Sequence, residues 1–259
     1  MHESAVTHES PEYGPVMGIA VPQANTTVEP EMHAMLAGGH TLLAARMTSP
    51  SPDSRQRLVD YLDDLDRHLM QFDVAPLQVA GFACTGSSYL VGPEEEEVRM
   101  AHITQSRGYP VLAAAKSIRR ALGVLGARRI ALLSPYPSWL SDAGKTYWKN
   151  CGLEIVSSAG VPAELLDTRN IYKLRTAAVA SLLKDLHTND CDAVLLSGTG
   201  MPSLRLMAHH TLPVPVLSSN FCLAWDMRSV IHPSRPALEL LQEMLAPHAA
   251  WRKMIRDPA

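Results

Sequence analysis

One cysteine in this sequence has neighbours suited to thiol chemistry. Cys84 follows a short apolar run and precedes Thr85, Gly86, Ser87 and Ser88. Backbone N–H groups in a segment of this composition can stabilise a thiolate, which lowers the thiol pKa and makes the sulfur nucleophilic or basic. The alternative is a buried cysteine that acts only as a small apolar side chain. The context favours the first interpretation, and we predict that Cys84 is catalytic.

Two segments of small and hydroxylated residues could each hold a carboxylate or a developing oxyanion. Their members are Thr85, Gly86 and Ser87 in the first segment and Gly198, Thr199 and Gly200 in the second. Successive N–H groups with nearby hydroxyls make such a cradle, although the same residue types are common in ordinary turns. We expect both segments to be loops, and the first of them to span residues 82–88.

Two further polar residues follow candidate strands. Asn25 precedes two threonines in a segment typical of a helix N-terminus, so its side chain either caps that helix or points its amide into a cleft. Tyr136 lies between two prolines. Its phenol either donates a hydrogen bond to a carboxylate or packs between the prolines.

The composition narrows the class of protein. The 259 residues are 46% hydrophobic and 19% charged, with a formal net charge of −3, which is enough apolar material for a sizeable core and too little positive charge for a nucleic-acid partner. No apolar run approaches the roughly 20 residues that span a membrane. The four cysteines lack metal-ligand spacing, which predicts free thiols and no metal site. The sequence has no signal-peptide pattern, which predicts a cytoplasmic location. It has no nucleotide-binding glycine motif, which predicts that there is no organic cofactor.

Short apolar runs alternate with helical patterns along the chain. The predicted strands are Val16–Val21, Thr41–Met47, Gln78–Ala83, Val111–Ala114, Ile130–Leu133, Glu154–Ser157, Ala193–Ser197 and Val214–Leu217. The predicted helices are Arg55–Met70, Lys116–Leu125, Lys173–Leu186 and Ala237–Leu245. Strand–helix alternation with continuous apolar strands indicates βαβ units and mostly parallel sheets.

The chain also repeats itself in two halves. The strand that ends before Cys84 resembles the strand that ends before Gly198, and the strand before Asn25 resembles the strand before Tyr136. We therefore predict an α/β fold of two similar Rossmann-like (flavodoxin-like) lobes with parallel sheets, related by a pseudo-twofold axis, with the active site in the cleft between them. The predicted boundaries are a disordered lead-in over 1–14, a first lobe over 15–115 on which part of the C-terminal helical region packs, and a second lobe over 116–259.

Four segments resemble a known group of enzymes. VPQANTTVEPEM, FACTGSSYLVG, LLSPYPSWL and LLSGTGMPSL are similar to segments of maleate cis-trans isomerases and arylmalonate decarboxylases, which belong to the aspartate/glutamate racemase superfamily. The resemblance runs roughly from Gly18 to Trp225. It implies two Rossmann-like lobes, an active site between them, and no metal or organic cofactor.

The resemblance also implies roles for single residues. It makes Cys84 the first-lobe nucleophile or base. It places Asn25, Thr85, Gly86 and Tyr136 in the pocket that binds the substrate. From the composition of the two segments, we expect Ser87, Gly198, Thr199 and Gly200 to help hold the carboxylates. An asparagine of the family falls on Thr168 when the segments are aligned without gaps, and Asn170 is the alternative if the register shifts by two. The family's second-lobe cysteine corresponds to Gly198.

The glycine at position 198 leaves one candidate catalytic thiol and disfavours racemisation by two opposed thiols. The preferred hypothesis is an isomerase that resembles maleate cis-trans isomerase and acts on a small dicarboxylate. The assisting role of the second thiol is then either lost or taken over by water or a hydroxyl such as Thr199. One alternative is decarboxylation of a substituted malonate with Cys84 as proton donor. Another is a non-catalytic carboxylate-binding relative, which a Cys84 pKa at or above the ordinary value would favour. No nucleic-acid or membrane partner is expected, and homo-oligomerisation is left open.

Overall fold

The structure is a computed structural model that describes residues 14–36, 39–160 and 167–255. The predicted lead-in over 1–14 lies outside the described residues, except for Gly14. Within the described ranges, no helix is both long enough and apolar enough to cross a membrane.

Eight strands form two parallel four-stranded sheets. They are β1 (Val16–Pro22), β2 (Thr41–Met47), β3 (Leu77–Phe82), β4 (Val111–Ala113), β5 (Arg129–Ser134), β6 (Glu154–Gly160), β7 (Ala193–Leu196) and β8 (Val216–Ser218). The strand order is β2-β1-β3-β4 in the first sheet and β6-β5-β7-β8 in the second, and every pairing is parallel. The predicted fold class and the internal repeat are therefore confirmed.

Helices connect and cover the strands. They are α1 (Val28–Leu36), α2 (Ser54–Asp63), α3 (Leu65–Leu69), α4 (Thr85–Val91), α5 (Pro93–Arg107), α6 (Ala114–Val124), α7 (Ser138–Asn150), α8 (Thr176–Leu183), α9 (Leu204–His209), α10 (Ser219–Ile231) and α11 (Ala237–Leu245). Short 3-10 helices span Met70–Phe72, Thr168–Lys173 and Ala250–Met254. Central strands β1 and β7 are buried along their whole length, whereas the edge strands β2 and β6 are partly exposed, as expected for sheets covered on both faces.

Three local predictions are wrong in detail. Residues 82–88 do not form a loop, because α4 begins at Thr85. The predicted helix Arg55–Met70 is interrupted at Asp64, whose φ of −91° and ψ of 6° end α2. The predicted helix Lys173–Leu186 begins only at Thr176, because the two residues before it are extended.

The two lobes exchange helices. Helix α10 follows a second-lobe strand but packs against α6, β3 and β4 of the first lobe, and α7 of the second lobe packs against α4. Residues 219–227 of α10 are all buried, which accounts for the absence of a one-sided apolar stripe in that segment. The predicted boundary between residues 115 and 116 falls inside α6.

The strand order brings the candidate residues to one edge of each sheet. Ligands of parallel sheets bind at the carboxyl ends of strands, where neighbouring strands connect in opposite directions. In the first sheet that place lies between β1 and β3, which are followed by Asn25 and Cys84. In the second sheet it lies between β5 and β7, which are followed by Tyr136 and Gly198.

Candidate active site

A small cavity lies where the strand ends of the two lobes face each other. Its volume is about 20 Å³, which is room for about one water molecule. Of the predicted site residues, the ones that line it are Cys84, Tyr136, Thr168, Thr199 and Gly200. Its lining also includes Arg57, Tyr61, Arg169 and Tyr172, which the sequence analysis did not single out. Both lobes therefore contribute side chains around the predicted nucleophile.

Cys84 is the residue that precedes α4, and it is 4% exposed. Burial raises the pKa of its thiol above the ordinary value, although hydrogen bonds from the Ser87 hydroxyl and from the N–H groups of Ser87 and Gly86 oppose this. The predicted N–H groups are present at the sulfur, but the predicted net lowering of the pKa is wrong for this closed cavity. Loss of water at the sulfur disfavours the charged thiolate more than the hydrogen bonds favour it.

Ser87 has two possible acceptors for one hydroxyl proton. Its Oγ lies 3.2 Å from the Sγ of Cys84 and 2.6 Å from the carbonyl oxygen of Leu58. A hydroxyl carries one proton and two lone pairs, so Ser87 donates to one of these acceptors at a time. While it donates to Leu58, its oxygen can accept from the neutral thiol. Ser87 can therefore hold the sulfur in position in both protonation states.

Three phenols surround the sulfur and stay protonated. Burial, followed by the charge of the Cys84 thiolate, raises the pKa of Tyr61 to about 12 and that of Tyr172 still further. Burial also raises the pKa of Tyr136 well above its ordinary value, with charges on Tyr89 and Cys84 adding to the effect. The hydroxyl of Tyr136 lies 2.7 Å from the Oγ1 of Thr85 across the cleft. Neutral phenols of this kind are hydrogen-bond donors for an anion.

Asn25 caps α1 and reaches the second lobe at the same time. Its Oδ1 accepts hydrogen bonds from the N–H groups of Thr27 (2.9 Å) and Val28 (3.2 Å). Its Nδ2 donates to the Oγ1 of Thr199 at 3.4 Å. The side chain is buried but does not line the cavity, so the structure places its amide behind Thr199.

The second-lobe segment is occupied by hydrogen bonds within the protein. The hydroxyl of Thr199 donates to the carbonyl of Ala83 at 2.8 Å, and the N–H of Gly198 donates to the Oγ of Ser219 at 2.9 Å. In the closed cavity the Thr199 proton is donated to Ala83, and replacement of the second thiol by this hydroxyl stays a prediction. Gly200 lies under the ring of Tyr172.

Gly198 has no room for a side chain. Its φ is +115°, in the region that favours glycine, and a Cβ atom there would lie 2.7 Å from the Cγ and 3.1 Å from the Cδ of Pro135. Both the backbone conformation and the proline ring disfavour a side chain at this position. The local packing and backbone conformation therefore favour glycine over cysteine at position 198.

The segment from Asp167 to Lys173 closes one side of the cavity. Thr168 lines the cavity, whereas the Oδ1 of Asn170 accepts a hydrogen bond from Lys173 at 2.9 Å, away from the lining. Of the two alternatives, the structure therefore brings Thr168 to the cavity. The remaining predicted residues, Thr85, Gly86, Ser87 and Gly198, do not line the cavity but lie next to residues that do.

A charged cluster borders the cavity at this segment. Arg57 is 2% exposed, and its Nη2 donates to the Oδ1 of Asp167 at 2.7 Å. Burial alone would raise the pKa of Asp167, but hydrogen bonds from Arg169 and the charges of Arg57 and Arg169 lower it to about 2. The sequence signal for a buried Arg57 was its position four residues before Tyr61, on the same helix face.

No set of metal ligands accompanies this cluster. Within residues 14–36, 39–160 and 167–255, no three His, Cys, Asp or Glu side chains lie together as ligands of one ion. The chemical groups gathered at the cavity are one thiol, three phenols, and two arginines that share a carboxylate.

Comparison with known proteins identifies the group. A maleate isomerase of Geobacillus stearothermophilus is 29% identical over 219 residues, which is 78% of this chain and 86% of that protein. A maleate isomerase of Pseudomonas putida is 26% identical over 74% of this chain and 81% of its own length. These relatives indicate that the chain is an isomerase, the enzyme class predicted from the sequence.

Solved structures and a family model complete the comparison. The maleate cis-trans isomerase of Nocardia farcinica, solved as a cysteine-to-serine variant with a covalently bound succinylcysteine intermediate, superimposes with a TM-score of 0.77 at 24% identity, over 88% of this chain and 98% of that one. An arylmalonate decarboxylase superimposes with a TM-score of 0.70 at 19% identity, over 88% and 100%. The family model for arylmalonate decarboxylase matches residues 17–238. Since this match covers most of the sequence and both lobes, the chain belongs to the arylmalonate decarboxylase family.

Proposed function

We propose that this protein is a cofactor-independent isomerase that interconverts the cis and trans forms of a small unsaturated dicarboxylate such as maleate, with Cys84 as its single nucleophile. The observation that carries the proposal is the position of Cys84 at the start of α4, inside a cavity shared by both lobes and surrounded by three phenols. The activity named for the relatives supports the choice of substrate.

The proposed reaction is a reversible conjugate addition. The Cys84 thiolate attacks one alkene carbon and forms a C–S bond, while the π electrons move to the adjacent carboxylate as an enediolate. The former double bond is now single and rotates. Return of the electrons re-forms the alkene and breaks the C–S bond, which releases the trans product and the thiolate. No proton is gained or lost by the substrate, so one thiol is sufficient.

Neutral phenols suit the charge that develops in this step. The enediolate carries extra negative charge on a carboxylate, and Tyr136 and Tyr172 can donate hydrogen bonds to it because their pKa values are raised. Preorganised donors in a dry site typically contribute about 3–4 kcal/mol each to transition-state stabilisation. A phenolate in either position would repel the substrate.

The raised pKa of Cys84 in the closed cavity has a mechanistic explanation. A cavity of about 20 Å³ cannot hold a four-carbon diacid, since ligand pockets typically measure about 300–1,000 Å³. Admission of substrate must open it, and opening brings water to the sulfur and removes the largest cause of the raised pKa. The N–H groups of Gly86 and Ser87 remain at the sulfur because they belong to the same helix. The thiol then loses its proton to the admitted water in the open state, so a raised pKa in the closed cavity is compatible with a catalytic Cys84.

Decarboxylation of a substituted malonate is the second candidate. Burial keeps the Cys84 thiol protonated, and a protonated thiol beside an enediolate is a proton donor. The family model that matches the chain carries the name of this activity. A single thiol on one face would deliver its proton to one face of the product, so the product would be one enantiomer.

Proton NMR in D2O tests both candidates in one sample. Maleate and phenylmalonate are offered together to the wild-type protein. Fumarate without deuterium at its alkene carbons supports the isomerase. Loss of carbon dioxide from phenylmalonate, with deuterium at the new C–H position and with maleate unchanged, supports the decarboxylase and contradicts the isomerase. If neither substrate changes, both proposals fail and the carboxylate-binding alternative remains.

A further inference from the structure

We propose that Arg57 selects dicarboxylates: its guanidinium holds the substrate's second carboxylate, in the place that Asp167 occupies in this structure. The inference rests on the proposed function in that it assumes a diacid substrate. Arg57 then determines substrate specificity, and the substrate enters when its carboxylate replaces Asp167 on Arg57.

The guanidinium of Arg57 is fixed from behind. Its Nη1 donates to the carbonyl oxygens of Ser51 (3.2 Å) and Pro52 (2.7 Å), in the loop before α2. Its Nη2 donates to the Oγ of Ser54 (2.9 Å) and to the Oδ1 of Asp167 (2.7 Å). All of these partners except Asp167 are neutral groups of the first lobe. A cation this deeply buried needs an anion, and Asp167 of the second lobe supplies it.

When the ion pair between Arg57 and Asp167 separates, Asp167 loses less free energy than Arg57 does. The Asp167 side chain is 30% exposed, against 2% for Arg57. Its second oxygen already accepts from Arg169, with an Nη2–Oδ2 distance of 2.6 Å. An Asp167 that moves away keeps a cationic partner and gains water. Arg57 would remain as a buried cation without an anion, which is the condition under which an incoming carboxylate binds most strongly.

The shape of the surroundings favours movement of the segment that carries Asp167. Thr168, Arg169, Ile171 and Tyr172 form one side of the cavity of about 20 Å³. Tyr172 also lines an open groove of about 360 Å³. Displacement of this one segment therefore joins the cavity to the groove and withdraws Asp167 in the same motion. The space beside Cys84 then ends at a free guanidinium.

The geometry sets a preference among substrates. One carboxylate of a diacid lies near Cys84 and the phenols, and the other replaces Asp167 on Arg57. Maleamate has the same shape as maleate, but an amide stands in place of its second carboxylate. Loss of a charge-assisted hydrogen bond typically weakens binding by roughly 10- to 150-fold, so we expect maleate to bind about 30-fold more tightly than maleamate.

Calorimetric titration of the Cys84→Ala protein tests this without turnover. Maleate and maleamate are titrated into that protein and into the same protein carrying Arg57→Gln, Asp167→Asn or Arg55→Gln. We expect Arg57→Gln to abolish the preference for maleate, and Asp167→Asn to tighten maleate binding more than maleamate binding. Arg55→Gln is the matched control, because Arg55 is exposed on the same helix and stacks on Trp139; it should leave both affinities unchanged.

Each outcome supports or overturns the role of Arg57. Unchanged maleate affinity in a folded Arg57→Gln protein overturns it, as does failure of the Cys84→Ala protein to bind maleate. If Arg57→Gln does not fold, the same titrations are made with Arg57→Lys and Asp167→Asn. A preference for maleate over maleamate that is unchanged in both variants overturns the proposal. The proposed function is tested separately by wild-type turnover. If maleate binds through Arg57 but is not isomerised, the role of Arg57 in binding is supported and the proposed isomerase activity is refuted.

Discussion

The two lobes share a strand order but differ at the second residue after their third strand. After β3 comes Cys84, and α4 begins with the next residue. After β7 comes Gly198, and α9 begins only at Leu204. The early helix start turns two backbone N–H groups toward the sulfur, whereas the turn at Gly198 directs its N–H to Ser219. A duplicated fold thus supplies a thiol on one side and backbone without a side chain on the other.

The two lobes also contribute different chemical groups to the cavity and its border. The first lobe contributes the thiol, Tyr61 and the buried Arg57, and the second contributes Tyr136, Tyr172 and the carboxylate of Asp167. The first lobe is therefore suited to hold and attack an anionic substrate. The second lobe supplies neutral donors and an internal anion that occupies the binding place until substrate arrives.

Two sets of contacts between the lobes differ in burial. In the first, the buried Glu31 of α1 accepts hydrogen bonds from the N–H groups of Ser203 (2.6 Å) and Leu204 (3.0 Å) and from Asn220 (2.8 Å). In the second, Arg57 meets the partly exposed Asp167. Because buried networks are costly to break, we expect the lobes to stay joined at Glu31 and to open at Asp167.

Removal of the thiol should have the largest effect. We expect Cys84→Ala to lower kcat/KM by at least about 10³-fold, since the covalent step is lost, with a Tm within a few degrees of wild type because only one small atom is removed. Steady-state kinetics and calorimetry measure the two quantities. Cys151→Ala, at the end of α7, is the control and should keep full activity. Substantial turnover by Cys84→Ala would refute the assignment of the nucleophile.

Removal of a second-lobe donor should have the next largest effect. Tyr136→Phe deletes the hydroxyl that lies 2.7 Å from Thr85 and keeps the ring. We expect a fall of about 10²-fold in kcat with little change in KM, as is typical for loss of an oxyanion donor. A change confined to KM would show that Tyr136 binds the substrate in its ground state and does not stabilise the enediolate.

Introduction of a side chain at the empty second-lobe position should destabilise the protein. Gly198→Ala adds a Cβ that meets Pro135 and strains a residue with φ of +115°; we expect a loss of about 2–4 kcal/mol in the free energy of unfolding. Gly126→Ala is the matched control, because Gly126 also has a positive φ but nothing within 4 Å of its Cβ position. Equal losses in the two variants, measured by denaturant unfolding, would mean that the packing of Pro135 has no part in excluding a second thiol.

The smallest effect should be a shift in pH dependence. Since burial raises the pKa of Cys84, alkylation of the ligand-free protein by iodoacetamide should accelerate with pH up to and beyond the ordinary range of a thiol. Ser87→Ala removes a hydrogen bond to the sulfur and should move this rise to still higher pH. Ser88→Ala serves as control, because that hydroxyl donates to the Cys84 carbonyl. A rise centred below the ordinary thiol pKa would contradict the dominance of burial.

Much of the fold could be predicted because short buried strands have a clear sequence pattern. All eight predicted strands are present, and the repeat correctly paired Cys84 with Gly198. The start of α4 was missed because Thr, Gly and Ser are weak helix formers, and tertiary packing against α2 and α7 overrides that preference. Long-range effects could not be predicted: Arg57 meets Asp167 across 110 positions of the sequence, and the pKa of Cys84 depends on how tightly the lobes close.

Trapping of the covalent intermediate tests most directly whether one first-lobe thiol does the chemistry. The wild-type protein is mixed with excess maleate, quenched with acid within its turnover time, digested and analysed by peptide mass spectrometry. We expect one adduct, with the mass of the substrate added, on the peptide that contains Cys84, and none on the peptides of Cys151, Cys191 or Cys222. An adduct on any of those three, or rapid turnover by a protein whose Cys84 has been fully alkylated, would contradict a single nucleophile supplied by the first lobe.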